Sequence, residues 1–325
     1  MDTSRGPTLI WDAHSGFEAW PHTDLAKLAP WRDAGVDFVS VNVGYDVQSM
    51  PDMVRALANF RRFLRASDNY ALVGTQAEFD EARRLGQTAV AFDLEGVNVL
   101  EQSLDMLRLS HELGVRQIAL AYNRNSDAAG GCHDDDTGLT PFGRDAIALM
   151  NELGIVVDCS HCGFRSTLEA IEMSTAPVVF SHSNARALHD HERNISDEQA
   201  IACAAKGGVV GVNGINLFLG DDNVTTAAIA DHAAHWIELV GSDHVGIGLD
   251  YFFEDDGSGA HFTDVLEANA HYWPEDQYPD GAIRCAHPRQ LSALGTELRC
   301  RGFSADQVED VMGRSFARLA AAVWG

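Results

Sequence analysis

The chain has no long apolar run. It lacks the stretch of about 20 consecutive apolar residues that a membrane-crossing helix requires. Its opening, Met1-Asp2-Thr3-Ser4-Arg5-Gly6, lacks the basic-then-apolar order of a secretion signal, so the expected location is cytoplasmic. Positive charge is also scarce. Against 48 aspartates and glutamates stand 23 lysines and arginines, a formal net charge of -25. Such a surface repels nucleic acid and anionic membranes, which excludes both as expected partners. Cysteine is sparse too: six residues in a chain of 325 do not make a disulfide scaffold. Cys159-x-x-Cys162 brackets His161, but no second such pair completes a structural zinc site. Small buried thiols are the better reading.

What is present is apolar material arranged in a repeating order. Hydrophobic residues make up 46% of the chain, enough for a full core. Eight short runs alternate with helical stretches: Leu9–Ala13, Phe38–Val43, Ala89–Leu94, Gln117–Ala121, Gly154–Cys159, Pro177–Ser181, Gly208–Val212 and Val245–Leu249. They are continuous rather than alternating, as strands covered on both faces are. Between them, Thr75–Gly86, Ser103–Gly114 and Pro141–Gly154 end on glycine, and the last begins with proline, in keeping with helix-end preferences. Thr225–Gly241 and Ser304–Ala321 are further expected helices. The pattern predicts α/β architecture, a single (β/α)8 TIM-type barrel domain over residues 1–325 with its active site at the C-terminal ends of the strands. Three longer irregular stretches, Asp46–Asp52, Asn123–Thr140 and Tyr251–His287, follow strands and are expected to shape a pocket on that face.

Five runs lead into residues that bind metals or move protons: His14, Glu95, His161, His182 and Asp250. A closed parallel barrel brings all these strand ends to one rim. Three imidazoles and a carboxylate can hold a hydrolytic metal, and a carboxylate between two ions can bridge them. Asp250, at the end of the eighth run, is the candidate proton carrier. Asp12 and Asp158 lie close enough to strand ends to orient imidazoles or to serve in buried hydrogen bonds.

The stretch Gly138-Leu139-Thr140-Pro141-Phe142-Gly143-Arg144, then Met150-Asn151-Glu152-Leu153-Gly154, Val157-Asp158-Cys159-Ser160-His161, Ala176–Arg186, Arg193-Asn194-Ile195 and Gly246-Ile247-Gly248-Leu249-Asp250 resembles the membrane dipeptidase family of zinc peptidases. The similarity runs from about Trp11 to Arg318. It implies hydrolysis of a dipeptide or similar small amide, one or two zinc ions, and a possible homodimer. It implies His161 and His182 as ligands of one zinc, Glu95 as the bridge and His14 on the other zinc. It implies too that Asp250 exchanges protons and that Arg193 holds the substrate carboxylate, a role suited to a planar guanidinium. Two positions depart from the pattern. Where the family has His-x-Asp, this chain has His14-Ser15-Gly16, so one metal loses a carboxylate ligand and is expected to bind weakly or not at all; Glu18 and Asp24 are conceivable substitutes. Where some members place a histidine that polarises the scissile carbonyl, Tyr122 or Asn123 could donate instead. The competing expectation is a retired barrel that binds a small carboxylate-bearing ligand without cleaving it.

Overall fold

The computed structural model describes residues 8–252, 267–279 and 283–324. Nine parallel strands form its centre: β1 (Trp11–Ser15), β2 (Phe38–Tyr45), β3 (Tyr70–Leu72), β4 (Thr88–Glu95), β5 (Val115–Ala119), β6 (Val156–Asp158), β7 (Val178–Phe180), β8 (Val209–Val212) and β9 (Val245–Ile247). Eight of them close a barrel in the order β1-β2-β4-β5-β6-β7-β8-β9, and Asp12 opposite Ile247 joins the last to the first. These are the eight expected runs.

The additional strand, β3, was not legible. It lies in the short apolar run Tyr70-Ala71-Leu72-Val73, and of its three strand residues only Tyr70 is fully buried. β3 pairs with the start of β4, at Thr88–Val90, and β5 takes over from Phe92 onward. It fills the gap where β5 has not yet reached β4. Every residue of β2 and β4 is buried, which explains why their sequences do not alternate.

Helices cover the outside. Hydroxyl side chains cap many of their first turns: Thr75 accepts from Glu78 N, Ser103 from Met106 N, Thr140 from Gly143 N and Thr225 from Ala228 N. The helix Met50–Arg65 begins inside the expected irregular stretch Asp46–Asp52. Ser49 caps it and Pro51 occupies its first turn. The expected Ser304–Ala321 helix is interrupted at Asp310–Arg314, where a Cβ on Gly313 would lie 2.8 Å from the Leu9 carbonyl oxygen. Glycine there lets the chain press against the segment entering β1. Asn123–Thr140 contains neither helix nor strand, as expected, and of Tyr251–His287 the residues 253–266 and 280–282 lie outside the described residues. Among the described residues, no helix is long and apolar enough to cross a membrane.

Candidate metal centre

The strand ends deliver their polar residues to one point. His14 sits within β1 and Glu95 is the last residue of β4. His161, His182 and Asp250 follow β6, β7 and β9. His161 and Asp250 have left-handed backbones, with φ of +66° and +55°, and Asn123 has +61°. Such conformations are uncommon for residues with side chains and gather at functional sites.

Each imidazole has its Nδ1 side engaged. His14 Nδ1 lies 3.3 Å from Asp93 Oδ2, and His161 Nδ1 lies 2.7 Å from Asn123 Oδ1. His182 Nδ1 lies 2.6 Å from Ser181 Oγ, which donates in turn to Asp158 Oδ2. A proton on each Nδ1 satisfies these acceptors and leaves the Nε2 lone pairs facing inward. All three Nε2 atoms converge on Glu95 Oε1, at 3.2 Å from His14, 3.1 Å from His161 and 3.4 Å from His182. The Nε2 atoms of His161 and His182 are 2.9 Å apart. His14 Nε2 is buried and makes no hydrogen bond among the described residues. Acceptors packed against acceptors are mutually repulsive unless a cation lies among them. The donor set therefore fits a metal, and the ligand atoms of His14, Glu95 and His182 lie within 4.8 Å of one another.

The electrostatics agree. Burial, aided by the nearby Arg193 guanidinium, pushes His161 down to about 3. Burial, with His14 beside it, holds His182 well below the ordinary imidazole range. Both are thus neutral, as ligands must be. Burial opposes charge on His14 too, but the Asp93 and Glu95 carboxylates outweigh it and hold His14 well above its usual value. That position favours positive charge, whether a proton or a metal ion. Burial pushes Asp250 up to about 6, with Glu95 adding to the rise and His14 opposing it.

The remaining expected residues divide. Arg193 is buried against the cluster, its Nη2 3.2 Å from His161 Nε2, and its Nε makes no hydrogen bond among the described residues. Tyr122 is half-buried, with its ring 4.5 Å from that of His161 and with Tyr45, Tyr272 and Trp273 around it. Asn123 lies behind His161 instead of in front of it. Its oxygen accepts from the imidazole, and its amide nitrogen donates to Tyr272 O at 3.0 Å. The substitutes for a ligand at position 16 are engaged elsewhere: Glu18 pairs with Lys27, and Asp24 caps a short turn at Ala26. Asp158 orients His182 through Ser181, whereas Asp12 accepts from Trp31 Nε1 and Leu249 N in a buried structural role. Cys159 and Cys162 are buried free thiols.

Four polar residues around the centre were not anticipated. Asp93 accepts from Ser40 Oγ as well as facing His14, and Asn42 Nδ2 donates to Glu95 Oε2 at 2.8 Å. Asn213 Nδ2 donates to Asp250 Oδ2 at 3.0 Å, and Ser181 links Asp158 to His182. One signal was available. Asp93 precedes Glu95 by two residues, which places both on the same face of one strand.

A family model described as membrane dipeptidase (peptidase family M19) matches residues 10–271. The chain is 39% identical over 262 residues to a Schizosaccharomyces pombe protein named as an uncharacterized dipeptidase, covering 71% of this chain and 60% of the relative. It is 29% identical over 315 residues to the dipeptidase tcpJ of Claviceps purpurea, covering 92% and 68%. The chain thus spans about three fifths of the fission-yeast relative's length. Among solved structures, an amidohydrolase from Pseudomonas aeruginosa superposes with a TM-score of 0.88 at 26% identity, over 98% of this chain and 97% of the other. A metallo peptidase from Rhodobacter sphaeroides, liganded with a phosphinate mimic of L-Ala-D-Ala, gives 0.77 at 22% identity over 97% and 99%, a likeness of fold. With a family model that matches residues 10–271 and a closed barrel like that of the solved structures, the chain belongs to the membrane dipeptidase family, peptidase family M19.

Proposed function

We propose that the protein is a metal-dependent hydrolase that cleaves a dipeptide or similar small amide. The observation that carries this reading is the convergence of three imidazole Nε2 atoms on Glu95 Oε1. His161, His182 and Glu95 would hold one ion, and His14 with Glu95 faces a second position. Nitrogen and carboxylate donors suit zinc. Such an ion supplies Lewis acidity, polarising the amide carbonyl and acidifying water.

The chain's own groups do the rest. Asp250 takes a proton from the attacking water and passes it to the departing nitrogen. A carboxyl poised near 6 can do both near neutral pH. Arg193, with a buried Nε still able to donate, binds the substrate carboxylate. Tyr122, beside His161, offers its hydroxyl toward the scissile carbonyl. Asn123, Asp93 and Ser181 are positioning residues that hold the three imidazoles. The free thiols support a reducing, cytoplasmic compartment.

The test is metal content per chain, together with hydrolysis of Ala-Ala and L-Ala-D-Ala with added zinc. Bound metal with turnover, both lost in His182→Ala, is the expected result. A metal-loaded protein that cleaves nothing across a panel of dipeptides and small amides overturns the reading.

A further inference from the structure

Residues 270–278, in the long stretch after β9, lie against the loops that follow β5 and β7. From the first of these, Arg124 Nε donates to His271 O, and Asn123 Nδ2 donates to Tyr272 O at 3.0 Å. From the second, His191 Nε2 donates to Gln277 O at 3.1 Å, and Glu192 N donates to Gln277 Oε1 at 3.2 Å.

Asn123 joins this segment to the metal centre. A carbonyl oxygen only accepts, so the part of the amide that meets Tyr272 O must be its NH2 group. The same nitrogen lies 3.4 Å from the Tyr278 hydroxyl. Oδ1 is thereby turned to His161 Nδ1 at 2.7 Å, with Cys132 Sγ as a weak donor at 3.7 Å. An acceptor at this place keeps the imidazole proton on Nδ1 and leaves Nε2 bare. Turned over, the amide would press its oxygen on the Tyr272 carbonyl and an N–H on His161 Nδ1. Relief would require the imidazole proton on Nε2, the nitrogen that faces Glu95 and has to be free to take an ion.

The donors continue outward in the same sense. Tyr278 accepts from Asn123, so its own proton points to His133 Nε2 at 3.1 Å. His133 Nδ1 then donates to Glu192 Oε2 at 2.6 Å. Burial holds His133 below the ordinary imidazole value despite Glu192 beside it, in keeping with a single ring proton. From His161 through Asn123, Tyr278 and His133 to Glu192, each group donates to the next. A carboxylate that only accepts fixes the outer end, and the Tyr272 carbonyl fixes the middle.

We propose that residues 270–278 are a positioning segment of the metal centre: Tyr272 and Tyr278 set the amide of Asn123, and through it the tautomer in which His161 binds an ion. This rests on the metal-centre reading above and not on peptide cleavage. Docking of the segment and metal uptake are then linked, and each favours the other by the same factor.

Three measurements test this. In chelator-stripped wild type, histidine 15N NMR, with the His161 signals assigned by their loss in His161→Gln, should show Nδ1 protonated and Nε2 bare. Zinc should slow amide exchange over residues 270–278 about fivefold or more, the lower range of a coupling between sites. Tyr278→Phe keeps the ring and loses the hydroxyl; it should weaken zinc on the His161 side about tenfold. Asn123→Asp keeps an acceptor for His161 and loses both donors to the segment, so zinc should add no protection there. A proton on His161 Nε2 overturns the proposal. So does segment exchange that zinc leaves unchanged in wild type, zinc-induced protection of wild-type size in Asn123→Asp, or wild-type affinity in Tyr278→Phe. A wild type that takes up no zinc overturns the metal-centre reading itself, and the coupling with it.

Discussion

Asp93 Oδ2 stands 3.3 Å from His14 Nδ1, deep in the barrel, and determines which imidazole nitrogen faces Glu95. Its other partner, Ser40 Oγ at 2.6 Å, fixes the carboxylate from the neighbouring strand. Removing the carboxylate frees the ring to rotate and lowers the basicity of Nε2. Asp93→Ala should therefore weaken metal binding on the His14 side by about 10- to 100-fold, the usual cost of losing such an orienting partner. Titration of stripped protein with zinc against a competing chelator measures it. Unchanged affinity would remove Asp93 from the centre.

Arg193 makes its own prediction. A guanidinium that binds a substrate carboxylate equally in ground and transition states acts on KM more than on kcat. Arg193→Lys keeps the charge and loses the planar fork. KM for a free dipeptide should rise about tenfold or more, in line with a charge-assisted hydrogen bond of about 1.5–3 kcal/mol. A C-terminally amidated substrate should show a much smaller change. Equal effects on both substrates would mean that Arg193 serves only to support His161.

Gly248 tests how tightly the rim is packed. A Cβ there would stand 2.0 Å from the Ser181 carbonyl oxygen and 3.2 Å from His182 Cβ. Backbone cannot yield as a flexible side chain does. Gly248→Ala should cost about 3 kcal/mol or more and displace His182. Thermal unfolding and metal retention should fall together. An unaffected melting temperature would contradict the packing at this seam.

His232, outside the candidate metal centre, is expected to contribute to acid stability. Its Nδ1 accepts from Ala185 N at 3.1 Å and its Nε2 donates to Leu219 O at 3.3 Å, so it is neutral when folded. Burial pushes it down to about 4; His189, Asp231 and His235 are its titratable neighbours. The unfolded histidine titrates near its ordinary value of about 6.5. Between these values the unfolded state binds the extra proton, so stability is full above about 6.5 and drains away as pH falls toward 4, by up to about 3 kcal/mol. Melting curves of wild type and His232→Gln should converge as pH is lowered through this window. Parallel curves would show that His232 does not carry the effect.

Much of this was written in the linear pattern. Eight barrel strands were readable because burial on both faces forces continuous apolar runs, as in Ala89–Leu94. His14, Glu95, His161, His182 and Asp250 were readable because each follows or ends such a run. β3 was not, since Tyr70–Leu72 is too short to stand out, with only Tyr70 fully buried. The position of Asn123 at a strand end says nothing about which way its amide turns; in the structure it lies behind His161, on a left-handed backbone. Asp93 and Ser181 are not legible in the sequence, because a polar residue inside or just after a strand acquires meaning only from what lies across the barrel.

The sequence by itself determined the barrel, the strand-end address of the candidate metal ligands and the absence of a side chain at position 16, because periodicity and residue identity are properties of the chain. The tertiary structure decided which nitrogen of each imidazole faces Glu95, where Asn123 points, and what meets the space beside Gly16. That last answer, Asp250 Oδ1, depends on two strands far apart in the chain lying side by side, with His14 O accepting from Asp250 N across the closing seam. Barrel closure brings them together, and no pattern local to either segment records it.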